Sequence, residues 1–131
     1  ASASAWQPWA EVQTVQDSGA LTPAFVNGFY TDGSLHYRKI NGIVYITGDL
    51  RYAGLWPAVT TAFNLPVGYR PSVSVSTALM LFGTGGTALE LGQTNFTVDP
   101  NGSALTGLVY SLAGTPTGTV NGKICMSYPA A

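Results

Sequence analysis

Leu35-His36-Tyr37-Arg38-Lys39-Ile40-Asn41-Gly42-Ile43-Val44-Tyr45-Ile46-Thr47-Gly48-Asp49-Leu50 is the stretch on which the fold turns. Asn41-Gly42 supplies the two positive φ angles of a type I′ turn, the geometry that joins two antiparallel strands through a two-residue loop. Pairing outward from it sets Ile40 against Ile43, Arg38 against Tyr45 and His36 against Thr47 on one face. On the other face, Lys39 meets Val44, Tyr37 meets Ile46 and Leu35 meets Gly48. Leu35, Tyr37, Val44, Ile46 and Leu50 make this second face the core side.

The same grammar continues on both sides of the hairpin. Turn formers recur about every ten residues, and short runs rich in Val, Ile, Thr, Tyr and Phe lie between them, the pattern of an all-β sandwich or barrel. Further strands are expected at Glu11 to Val15, Ala58 to Leu65, Val73 to Phe82, Ala88 to Leu91, Phe96 to Val98, Leu105 to Leu112 and Val120 to Tyr128. Leu65-Pro66-Val67-Gly68-Tyr69-Arg70-Pro71 cannot run as a central strand, because neither proline has an N–H for the ladder. It reads as a connection between sheets.

The 131 residues suit one domain, residues 1–131. The opening Ala1-Ser2-Ala3-Ser4-Ala5 has neither a basic start nor an apolar run, and the chain reads as a piece of a longer polypeptide. No apolar stretch has the length needed to cross a bilayer, so no membrane insertion is expected. Only 8% of residues are charged, against roughly 25% in an ordinary soluble domain. Such a surface guards strand edges poorly, and identical subunits covering one another are the simplest remedy. Five scattered Lys and Arg with a net charge of −1 make no phosphate-binding face, so nucleic acid is not a partner. Cys125, the lone cysteine, sits in Ile124-Cys125-Met126 and reads as a buried, inert thiol.

Chemistry-bearing patterns are few. Gly83-Thr84-Gly85-Gly86-Thr87-Ala88 matches a loose dinucleotide-binding pattern, yet no helix of several turns follows, and a flexible hairpin loop is the better reading. A single histidine, His36, cannot build a metal cluster within one chain. No G-x-S-x-G elbow is present. Six carboxylates (Glu11, Asp17, Asp32, Asp49, Glu90, Asp99) could in principle supply a glycosidase pair, but Asp32-Gly33 and Asp99-Pro100-Asn101-Gly102 read as turns capped by Asp. No catalytic residue, metal or cofactor is therefore assigned. Tyr52 and Trp56 fall in an expected loop, and Tyr30 precedes Asp32. A flat ring beside hydrogen-bonding groups suits a sugar, so these four are the candidate ligand contacts. The alternative is that the rings pack in a core or a subunit contact. Trp6 and Trp9, with Arg38 and Tyr45, are the candidate subunit contacts.

Asn27-Gly28-Phe29, the hairpin run from Tyr37 to Gly48, and Phe63-Asn64-Leu65-Pro66-Val67-Gly68-Tyr69-Arg70-Pro71 together resemble the C-terminal head domains of bacteriophage tail fibres and baseplate receptor-binding proteins. The resemblance spans residues 27 to 71. Val98-Asp99-Pro100-Asn101-Gly102 and Leu108-Val109-Tyr110-Ser111-Leu112 resemble the closing hairpin of that family more loosely. It implies an antiparallel β-sandwich or jelly-roll-like head, a homotrimer at the virion tail outside the cell, adhering to a saccharide or protein of the host bacterial surface. The matching residues look like scaffold, so no binding residue is carried over from them. Non-catalytic adhesion to a host surface glycan is the reading that follows. Its rivals are a purely structural trimerisation or capping domain and a polysaccharide depolymerase or its accessory domain.

Overall fold

A computed structural model describes residues 15–83, 90–110 and 118–131, apart from the side chains of Glu90 and Leu91. Among these residues there are eight strands and no helix: β1 (Ala24–Phe25), β2 (His36–Ile40), β3 (Ile43–Ala53), β4 (Thr61–Asn64), β5 (Val75–Gly83), β6 (Glu90–Val98), β7 (Ser103–Tyr110) and β8 (Thr119–Pro129). Asn41 and Gly42 take φ of 49° and 81°, and β2 pairs with β3 in the expected register from His36↔Thr47 to Ile40↔Ile43. Leu35, Tyr37, Val44, Ile46 and Leu50 are all buried. Gly48 is required where it stands: a Cβ there would lie 2.3 Å from the Ser34 carbonyl oxygen, at a φ of +128°. A side chain at this position would push the Ser34–Leu35 backbone off β3.

The strands form one antiparallel sheet in the order β1-β4-β7-β6-β5-β8-β3-β2. Along most strands every second residue is buried, so the sheet has one apolar face and must cover it with itself, there being no helix among the described residues to do so. It does this by folding at β5 and β8, which pair only through Leu81↔Gly122, Phe82↔Asn121 and Gly83↔Val120. Beyond that joint the strands part, and the two halves share a single apolar cluster. Val44, Ile46, Leu50 and Ile124 come from one half; Phe63, Leu79, Phe96 and Val98 come from the other. The result is an antiparallel β-sandwich.

Several expectations shift at the edges. Residues 11–14 of the strand expected at Glu11 to Val15 lie outside the described residues, as do 88–89 and 111–112, and Val15 is not in a strand. Ala88 to Leu91 and Phe96 to Val98 were separate expectations, yet Glu90–Val98 is one strand, held by ladders to β5 and β7 on its two sides. The Leu65–Pro71 segment holds no strand, as the prolines require, and joins β4 to β5 within one half. It lies against the opposite half: the Tyr69 ring meets Tyr37 edge-on at 5.0 Å, and Tyr128 donates its hydroxyl to the Tyr69 carbonyl at 2.6 Å. Cys125 departs from expectation in burial. It is exposed, because alternation along β8 turns Ile124 and Met126 inward and leaves the thiol between them facing out.

Candidate functional site

After β1 the chain crosses to the far end of β3. Tyr30 exchanges backbone hydrogen bonds with Arg51 in both directions, at 3.0 and 2.8 Å, so the segment from Tyr30 to Ser34 runs beside β3 where β2 no longer reaches. Its turn is set by Asp32, whose Oδ1 accepts from the Ser34 amide at 3.0 Å and the Ser34 hydroxyl at 2.5 Å. This is the Asp-capped turn that Asp32-Gly33 announces. Two hydroxyls then fasten the turn to β3. Thr31 donates to the Asp49 carbonyl at 2.8 Å, and the Asp49 amide donates to Ser34 Oγ at 3.0 Å.

The strands beneath bring charge to this turn. Register places Asp49 opposite Lys123 and Arg51 opposite Asn121, all on the outer side of the β3–β8 ladder. The Arg51 guanidinium lies 3.1 Å from an Asp32 oxygen and 3.7 Å from an Asp49 oxygen. Lys123 Nζ stands 3.7 Å from the other Asp49 oxygen, and Asn121 Nδ2 donates to Asp49 at 3.2 Å. Charge therefore alternates along a row: Asp32, Arg51, Asp49, Lys123. Asp32, Ser34, Gly48, Asp49 and Lys123 line an open cleft of about 380 Å³, a volume within the usual range for a small-ligand site.

The row is a set of positioned acceptors and donors with no net charge. Carboxylates accept from hydroxyls, and guanidinium and ammonium groups donate; hydrogen bonds hold the Asp32, Arg51 and Asp49 heads in place, while Lys123 extends from Asp49 into solvent. Asp32 is held below the ordinary carboxylate range, chiefly by the Ser34 hydroxyl and then by the Ser34 amide. This is the reverse of what a general acid for glycoside cleavage needs, a carboxyl raised by its surroundings. Asp99 is likewise a turn residue. Its amide donates to the Ser103 carbonyl at 2.9 Å and its carbonyl accepts from the Gly102 amide at 2.9 Å.

The structure distributes the sequence candidates unevenly. Asp32 lines the cleft, and Tyr30 flanks it with its hydroxyl 2.7 Å from Thr119 Oγ1. Tyr52 is not in a loop: β3 runs on to Ala53 because β8 supplies partners as far as Thr119. Its ring is half-buried against Phe29 at 5.0 Å. Trp56 is only 2% exposed and meets Phe29 edge-on at 5.3 Å, so it packs inside and has no face to offer a sugar. Arg38 and Tyr45 stand opposite each other on the outside of β2 and β3, with Arg38 paired to Asp17 through two hydrogen bonds. Trp6 and Trp9 lie outside the described residues. His36 is partly buried, with Nδ1 lacking a hydrogen-bond partner. Sequence named Asp49 only among six carboxylates and singled out neither Arg51 nor Lys123. Asp49-Leu50-Arg51 carried half the signal, two opposite charges two apart on an outward strand face, while Lys123 depended on a pairing across more than seventy residues.

No protein-family model and no curated protein matches the chain. Solved structures do. The head domain of lactococcal phage bIL170, described as a receptor-binding domain, aligns with a TM-score of 0.61 at 15% identity, covering 86% of this chain and 97% of that one. The receptor binding protein of Listeria phage PSA aligns with a TM-score of 0.61 at 16% identity, covering 99% of this chain and 77% of that one. The chain has the all-β fold of these phage receptor-binding heads.

Proposed function

We propose that this protein is a head domain of a phage tail, trimeric in the virion, that adheres to a saccharide on the host bacterial surface without cleaving it. The row Asp32–Arg51–Asp49–Lys123, in which Asp32, Asp49 and Lys123 line the open cleft and Arg51 joins the two carboxylates, carries the reading. Neighbouring sugar hydroxyls both donate and accept, and an alternating row of fixed carboxylates and cations answers both needs without selecting for a charged ligand. The likeness to phage receptor-binding heads supports attachment to a host surface.

The test is a binding assay of the purified protein on host envelopes and on polysaccharide extracted from them, with reducing ends measured in parallel. Saturable binding that Arg51→Ala weakens, with no reducing ends released, is the expected result. A stable assembly with no affinity for envelopes would leave a structural capping role in its place. Release of reducing ends, lost in Asp32→Asn, would replace adhesion with depolymerisation.

A further inference from the structure

We propose that Asn121 is a positioning residue for the cleft: its side-chain amide aims the Asp49 carboxylate that the saccharide meets. Asn121 lies in the outward row of β8, and register sets it opposite Arg51 on β3 and Phe82 on β5. Flanked on both sides, it is only 8% exposed although it points away from the core. A residue that merely filled this gap would be apolar, since burying an amide costs free energy unless its hydrogen bonds are made. The amide is used on Asp49. Its Nδ2 donates to Asp49 Oδ2 at 3.2 Å, along the diagonal that joins neighbouring rungs of an antiparallel pair.

The two cations act on Asp49 in another way. Arg51 and Lys123 each stand 3.7 Å from one of its oxygens, close enough for Coulomb attraction and too far for a hydrogen bond. Among the described residues, Asn121 therefore makes the one hydrogen bond that the Asp49 carboxylate accepts. Attraction alone leaves a carboxylate free to swivel, whereas a hydrogen bond has a direction. This one turns Oδ2 toward Asn121 and Arg51 and leaves Oδ1 beside Lys123, facing the cleft that Asp49 and Lys123 line. A neutral donor also holds the group without cancelling its charge, so Oδ1 remains a full acceptor for a sugar hydroxyl.

This inference rests on the reading that the cleft holds a saccharide, and two measurements keep the two apart. The first needs no ligand. In a nitrogen-resolved NMR spectrum of the full chain, one side-chain amide proton of Asn121 should lie downfield of the exposed-amide position and return to it in Asp49→Ala. The second is a double-mutant cycle, read by titration calorimetry against polysaccharide extracted from the host. Asn121→Leu, similar in shape but without a donor, should weaken binding about tenfold with an unchanged circular dichroism spectrum. Once Asp49→Ala has itself weakened binding, adding Asn121→Leu should have no further effect. An equal loss from Asn121→Leu in both backgrounds, or an amide proton that Asp49→Ala does not move, would overturn the role of Asn121 while leaving the cleft as the site. A wild type that binds no polysaccharide, or one whose affinity survives both Asp49→Ala and Arg51→Ala, would overturn the cleft reading and this role together.

Discussion

Asp49 and Lys123 stand directly opposite each other where β3 pairs with β8, and their charged ends approach to 3.7 Å. The same Asp49 carboxylate takes the Asn121 amide and faces the Arg51 guanidinium. One aspartate therefore lies within ion-pair reach of both cations of the row.

Arg51→Ala should weaken binding to host polysaccharide by at least about tenfold, the loss expected when one charge-assisted hydrogen bond is removed. Titration calorimetry against extracted polysaccharide measures it. Arg51→Lys should recover only part of the affinity, because an ammonium lacks the planar set of donors that the guanidinium offers.

Gly48→Ala should cost about 2–4 kcal/mol of stability, since the new Cβ collides with the Ser34 backbone at a φ that L-residues avoid. Chemical denaturation gives the figure. Cleft affinity should fall with it, because the Ser34 hydroxyl also donates to the Asp32 carboxylate and accepts from the Asp49 amide.

Trp56→Ala should lower stability by about 3–5 kcal/mol, as for other large aromatic truncations in a core. Trp56→Phe should retain most of the fold and the full affinity for polysaccharide. A loss of affinity in a well-folded Trp56→Phe protein would return this ring to the binding surface.

Acid behaviour follows from two aspartates. Arg38 and the Gly19 amide bring Asp17 down to about 2, and Ser34 lowers Asp32. With folded values below unfolded ones, both groups stabilise the protein above the ordinary carboxylate range of about 4, and that contribution is lost only as pH falls through the folded values. Thermal melts should show no loss from these pairs between about pH 7 and pH 5 and a decline below about pH 4. Asp17→Asn should flatten part of that decline.

Cys125 should react with a maleimide in the folded protein at one thiol per chain, because its strand neighbours turn inward and it does not.

The hairpin was legible in full because everything that sets it is local: two residues impose the turn, and period-two alternation then assigns each side chain a face. β1 was not, since two residues carry no period and Ala24 and Phe25 become a strand only through Asn64 and Phe63. Tyr52 was read as loop because the chain turns to Gly54 just beyond it, whereas β8, far off in sequence, keeps it extended. The cleft divides in the same way. Asp32 was visible as a turn residue; its meeting with Asp49, Arg51 and Lys123 depends on three separate segments converging. Trp56 was misplaced because a Gly and a Pro flank it, and turn residues on either side of a ring say nothing about which way the ring points.

Gln16 and Ala130 lie together at one pole of the sandwich. Gln16 and Ala130 both hydrogen-bond to the Asn41–Gly42 turn, while Asp49 lies six residues along β3, about 20 Å away at the usual rise. Tension drawn between that pole and the cleft would run lengthwise down β3 and β8. It would load their rungs side by side, so that they must shear together and cannot be peeled apart one at a time. The domain would thus be stiffest against a pull directed along these two strands.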